Sequence, residues 1–179
     1  MTKEIKKLEK TEVIELTGIA NWAKLYKPDE FRGATRWTLS LEMDEASVEK
    51  YKEYGIQQKL KDGKTFNPRR DTTRTFKGKV VNFTPPVIFD KNGEVLVKYV
   101  NSSGKAVFSY EGEAPTRVGE PVLIGNGSLV AVKVSVYPTS MGVGNRLEAV
   151  KILDLITYES PTGGTNGVDS VEWQNLLTS

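Results

Sequence analysis

Leu129-Val130-Ala131-Val132-Lys133-Val134-Ser135-Val136-Tyr137 alternates branched apolar residues with smaller or polar ones over its whole length. Successive side chains of a strand point to opposite faces of a sheet. Val130, Val132, Val134 and Val136 therefore share one face, and Ala131, Lys133, Ser135 and Tyr137 share the other. Four valines in register demand a packed layer beneath them, which makes this stretch the centre of a β-sheet. Residues 142–145, with Gly142 and Gly144, turn the chain, and 146–158 reads as the antiparallel return.

The same period of two recurs near the start. Ile14, Leu16, Gly18, Ala20 and Trp22 fall on one face, with Glu15, Thr17 and Asn21 on the other. Trp22 ends that apolar face and is placed either in the core or at its rim. Lys27-Pro28-Asp29 breaks the strand and Gly33 marks a loop, after which Trp37, Leu39, Leu41 and Met43 point inward from 36–43. Asp44 or Ser47 can accept from the exposed amides of a helix start. The helix is predicted over 46–61, ended by Lys61-Asp62-Gly63-Lys64, with a basic loop over 64–72. Further strands are predicted at 73–83, 95–100 and 106–110. Five or six strands, one helix and no βαβ alternation predict an all-β protein. The expected architecture is a β-barrel with one helix, an OB-fold built as a five-stranded Greek-key barrel, with a β-sandwich as the competitor. Residues 1–10 read as a charged arm, 11–158 as the barrel domain, and 159–179, rich in Gly, Ser, Thr and Asn, as a flexible tail.

With 179 residues the chain suits one well-cored domain. It contains no cysteine and no histidine, which excludes disulfides, zinc sites of the usual nitrogen and sulfur type, and nucleophilic triads or dyads built on histidine. No Walker-type glycine loop is present. The acids are scattered and mostly lie beside lysines, so neither an enzyme nor a cofactor is expected. The enzymatic alternative is a magnesium-dependent nuclease using Asp90, Glu94 and Asp154. The first ten residues mix both charges, and no apolar run approaches the roughly 18 residues of a membrane span. A cytoplasmic protein with no membrane partner is the expectation.

The formal charge is +2, but its distribution is uneven. Lys59, Lys61, Lys64, Arg69, Arg70, Arg74, Lys77 and Lys79 face only Asp62 and Asp71, so the 59–79 segment carries +6. Phe66 and Phe76 sit among these cations. Cations neutralise phosphates and exposed rings stack on unpaired bases, so the combination predicts single-stranded nucleic acid as the partner. Arg69 and Arg70 are the expected phosphate clamps, because a guanidinium fork matches phosphate oxygens. Phe66 is expected to be exposed, while Phe76 is either core or stacking platform. Tyr26 and Lys27 after the first strand, and Lys133 and Tyr137 opposite the valines, complete the set. Tyr99 either joins that face or covers the core. The glycines of Ile124-Gly125-Asn126-Gly127-Ser128 read as a tight turn rather than a phosphate cradle.

The order of motifs resembles the single-stranded DNA-binding proteins of tailed bacteriophages, the T-odd replication type. Tyr26-Lys27-Pro28-Asp29, Trp37-Thr38-Leu39-Ser40-Leu41, Thr75-Phe76-Lys77-Gly78-Lys79 and Ile124-Gly125-Asn126-Gly127-Ser128 carry it, followed by the valine strand closing on Pro138. The resemblance spans about residues 12–158. It implies one OB-fold that coats unpaired DNA in replication, recombination and repair, pairs as a homodimer in the host cytoplasm, and binds through Lys77, Lys79 and the neighbourhood of Tyr137. Thr139, where the family has an aromatic after the proline, departs from the pattern. The family's strongly acidic tail, which meets the polymerase or helicase, is matched here only by Asp169, Glu172 and Trp173. The alternative function is a non-enzymatic structural or protein-interaction β-domain of a phage.

Overall fold

A computed structural model describes the backbone of residues 8–31, 33–120 and 122–156, and their side chains except those of Phe31 and Phe76. Asp169, Glu172 and Trp173, expected to form the partner-binding tail, lie outside the described residues. Twelve strands and one helix follow in the order β1 (Glu12–Phe31), β2 (Ala34–Met43), α1 (Glu45–Glu53), β3 (Thr65–Phe66), β4 (Arg69–Asp71), β5 (Thr73–Phe76), β6 (Lys79–Phe83), β7 (Val87–Phe89), β8 (Val95–Val100), β9 (Ser109–Tyr110), β10 (Thr116–Val118), β11 (Ser128–Thr139) and β12 (Gly142–Asp154). The protein is all-β with one helix.

β11 lies at the centre, with β1 on one side and β12 on the other, both antiparallel. The sheet continues from β12 through β7 and β8 to β10, and from β1 through β2 to β3, with β4 also paired to β2. β5, β6 and β9 form a separate three-stranded sheet. Val130, Val132, Val134 and Val136 are fully buried, packed in one core with Leu16, Leu39, Leu41, Leu147 and Val150. The large sheet stays open among the described residues, because no ladder joins its end strands. β4 nevertheless packs beside β12, and the seam between them is bridged by a side chain, Arg70, instead of a backbone ladder.

Several local readings need correction. Lys27-Pro28-Asp29 does not break the first strand, because β1 runs on to Phe31 and Asp29 pairs with Arg36. Residues 142–145 already belong to β12, which follows β11 through a turn at Ser140 and Met141. The 64–72 segment is not a loop but contributes β3 and β4, both paired to β2. The helix ends at Glu53, with Tyr54 as its C-cap, not near Lys61, because Gly55 takes a φ of 67° that stops it. Asp44 is the N-cap, and its side chain accepts from Ser47 N at 2.8 Å. The single strand predicted at 73–83 is a hairpin: Lys77 and Gly78, at φ 51° and 80°, make a two-residue turn between β5 and β6.

Trp22 lies at a bulge. The β1–β2 register shifts between Asn21 and Lys24, and Trp22 adopts a φ of 52°. An extra residue in a strand switches which positions face the core. Before the bulge Ile14, Leu16 and Ala20 are buried; beyond it Leu25 is buried and Ala23 packs on the core. Trp22 itself is turned outward and is 70% exposed. Two asparagines hold the bulge: Asn126 Oδ1 accepts from Trp22 N at 2.8 Å, and Asn21 Oδ1 accepts from Gly127 N at 3.2 Å.

Candidate nucleic-acid interface

Where β4, the β5–β6 hairpin and the turn end of β11–β12 meet, they leave a cleft of about 180 Å³. Arg69 and Asp71 reach it from β4, Arg74 from β5, Phe83 from the end of β6, Tyr137 from β11, and Asn145 and Arg146 from β12. Three guanidinium groups thus face one carboxylate around two aromatic rings. Arg146 lies over both rings, its guanidinium carbon 5.2 Å from the Phe83 centroid and 5.8 Å from that of Tyr137. Such contacts hold a flat cation against a flat ring and keep both planes in place.

Each side chain is held by its surroundings. Tyr137 is paired across the ladder with Gly144, and its ring lies on that residue. A Cβ at position 144 would come within 2.6 Å of Tyr137 Cε2, so the glycine is what lets the ring lie over the strand. Tyr137 Oη donates to Asn145 O at 3.4 Å. Asn145 Nδ2 reaches Gln58 Oε1 at 3.5 Å, while its buried Oδ1 has no hydrogen-bond partner among the described residues.

Behind the cleft sits Arg70, 2% exposed. Its Nε donates to Thr84 O at 2.8 Å and its Nη2 to Phe108 O at 2.8 Å. Its Nη1 donates to Glu148 Oε1 at 2.8 Å and, more weakly, to Leu147 O at 3.4 Å. Glu148 also accepts from Ser135 Oγ and lies 3.8 Å from Arg146 Nη1. Burial pushes the Arg70 pKa down, and the Glu148 carboxylate partly restores it. The expectation that Arg70 clamps phosphate is therefore corrected: adjacent strand residues face opposite ways, so Arg69 looks out and Arg70 looks in.

Phe66 is a second correction. It pairs with Leu41 and inherits that residue's inward face, is fully buried, and meets the Tyr51 ring edge-on at 4.9 Å. The other predicted residues are dispersed. Arg69, Arg74 and Tyr137 converge in the cleft. Lys77 and Lys79 lie exposed at the tip of the β5–β6 hairpin, where Phe76 pairs with Lys79 in the ladder. Lys64 is exposed and forms an ion pair with Glu42 at 3.0 Å. Lys133 is half-buried on the outer sheet face, its ammonium 5.3 Å from the Phe89 ring centroid. Lys27 is exposed, and Tyr26 lies beside Arg117, away from the cleft. Sequence reasoning missed Phe83, Asn145 and Arg146. Phe83 and Arg146 fell inside predicted strands, and an aromatic or a cation on a strand carries no mark of the face it will occupy until the register is known.

Among the described residues no three carboxylates gather as a metal site. Asp90 instead accepts from Asn92 N and Glu94 N in its own turn.

No family model and no curated protein matches this sequence. Among solved structures the chain is similar to the single-stranded DNA-binding protein from bacteriophage Enc34, at 12% identity and a TM-score of 0.45, over 93% of this chain and 98% of that one. A likeness of that size transfers neither a fold name nor a function.

Proposed function

We propose that this protein binds single-stranded DNA without sequence preference, by an OB-type barrel whose seam Arg70 closes. The observation that carries the reading is the cleft in which Arg69, Arg74 and Arg146 surround the Phe83 and Tyr137 rings. Guanidinium groups neutralise the strand's phosphates and release counterions, while the layered Arg146, Phe83 and Tyr137 planes offer flat π surfaces beside which unstacked bases lie whatever their identity. Paired bases keep their faces covered inside a duplex, so the same cleft disfavours double-stranded DNA. The exposed hairpin cations Lys77 and Lys79 extend the positive path. No chemical step and no cofactor enters this function. Our reading extends to a role in phage replication, recombination and repair in the host cytoplasm, with a homodimer coating the strand and the 159–179 tail meeting a polymerase or helicase.

The experiment is fluorescence anisotropy of labelled oligo-dT and of a duplex of equal length across a salt series. Tight binding of oligo-dT, weak binding of duplex and an affinity that falls with salt are expected. If each of the three cleft arginines displaces one counterion site, the log–log salt slope is about −2 or steeper. Equal affinity for both DNAs, or a flat salt response, overturns the proposal.

A further inference from the structure

Glu148 is absent from the cleft wall, but its carboxylate meets the two guanidinium groups nearest Phe83. The β11–β12 register shifts at this point. Lys133 pairs with Ala149 and Val134 with Leu147, so Glu148 is an extra residue with no partner across the ladder. A bulge of this kind re-aims a side chain. Glu148 Oε1 accepts from Arg70 Nη1 at 2.8 Å, while Oε2 accepts from Ser135 Oγ at 2.5 Å and lies 3.8 Å from Arg146 Nη1. The Arg70 guanidinium carbon is 5.1 Å from the Phe83 centroid, against 5.2 Å for that of Arg146. One ring therefore serves two cations, and they repel each other: the Arg146 charge is among the causes that push the Arg70 pKa down, after burial. Glu148 is the carboxylate that both share.

We propose that Glu148 is a positioning residue for DNA binding: it holds the Arg146 guanidinium over Phe83 and Tyr137 and presents it to the strand, without touching the strand itself. The role rests on the function proposed above. Two effects of the carboxylate oppose each other. By its charge alone, an acid beside a phosphate-binding cleft repels phosphates and weakens binding. By its placement, it offsets the repulsion between two arginines on one ring and fixes one of them in the cleft. An untethered arginine keeps rotamer freedom that a bound strand must remove, which lowers affinity. Orientation outweighs charge here for two reasons. Arg70 already neutralises Glu148 from behind, so little of its charge is left to act on phosphate. Arg146 and Glu148 are 32% and 26% exposed, so solvent screens their own attraction only in part. Ser135 braces the carboxylate from the side, which keeps it from swinging away from Arg146.

The test uses the full chain and Glu148→Gln, which keeps the side chain's shape. The glutamine oxygen can still accept from Arg70, whereas its amide nitrogen, a donor only, would face Arg146. In the free protein, NMR relaxation of the Arg146 side-chain nitrogens should report an ordered guanidinium in wild type and a mobile one in the variant. With oligo-dT across a salt series, Glu148→Gln should weaken binding roughly 3- to 30-fold and make the log–log slope shallower by up to about 0.7, even though it removes a negative charge. With Arg146→Ala already in place, adding Glu148→Gln should change affinity by less than about twofold. Glu148→Asp keeps the charge but withdraws it from Arg146, and it should weaken binding in the same direction. That variant decides the matter if circular dichroism shows Glu148→Gln unfolded. An Arg146 side chain as ordered in the variant as in wild type, unchanged or tighter binding, a steeper slope, or an equal loss in the Arg146→Ala background overturns the positioning role and leaves the cleft proposal standing. Should wild type bind no oligo-dT at any salt, the function proposed above falls and takes this role with it.

Discussion

Replacing Arg70 with alanine would remove a shared donor from the Thr84 and Phe108 carbonyls and the Glu148 carboxylate, leaving Phe108 O with the Thr84 amide and Glu148 with Ser135 and Arg146. A buried acceptor that loses its donor costs roughly 1–3 kcal/mol, and since Glu148 is partly exposed and keeps Arg146 beside it, urea denaturation of Arg70→Ala should report a loss of that order. Arg70→Lys should also destabilise, because an ammonium cannot reproduce the planar fork that reaches four separate acceptors. Arg69→Ala makes the contrast: stability within about 0.5 kcal/mol of wild type, and a salt slope for oligo-dT shallower by about 0.7. If the two variants exchange these phenotypes, the assignment of one arginine to the seam and the other to DNA is wrong. In the cleft, Tyr137→Ala should weaken oligo-dT binding by about 1–3 kcal/mol while Tyr137→Phe changes little, because the ring face, not the hydroxyl, would meet the base.

At the scale of elements, α1 and β3 interlock through Tyr51 and Phe66. Phe66→Ala empties a fully buried position and should cost about 3–5 kcal/mol in chemical denaturation. Any fall in DNA affinity would then track the unfolded fraction. Burial raises the Tyr51 phenol to about 12, and its hydroxyl donates to Gln58 O. The unfolded chain releases that proton near the ordinary value of 10.0, so the folded state holds it more tightly. The stability this supplies is intact below about pH 10 and is lost as pH climbs through about 12. Tyr51→Phe should flatten the alkaline limb of a thermal-midpoint profile between those limits, and an unchanged limb would refute the assignment. The β5–β6 hairpin carries Lys77 at positive φ in the position where two-residue turns favour asparagine. Lys77→Asn should therefore raise the thermal midpoint by a degree or more, an effect of up to about 1 kcal/mol.

Across the whole molecule, the parts legible from sequence are those in which chemistry repeats locally. The valine strand and the inward run Trp37, Leu39, Leu41 and Met43 lie where their period of two places them, because burial of one sheet face is written residue by residue, whereas the return begins at Gly142 and a bulge in it buries both Leu147 and Val150. Missing histidine and cysteine removed whole classes of chemistry without reference to any coordinates. The basic 59–79 segment was equally visible as composition, but composition has no direction. Reading 64–72 as a loop hid the alternation that sends Phe66 and Arg70 inward and Arg69 outward. Pairing with β2 decides that alternation, and β2 lies some thirty residues away in the chain. Arg146 and Phe83 join Arg69 through tertiary packing: β4 lies beside β12 without a ladder, and the Phe83 amide is tied to Thr72 O just after β4, so packing of distant segments, not spacing along the chain, makes the cleft. The sequence alone determined an all-β chain with a valine-rich sheet and a surplus of cations. Only the tertiary structure decided which cations face solvent and which ring stands beside which guanidinium, because the facing of a strand residue depends on the partner it pairs with.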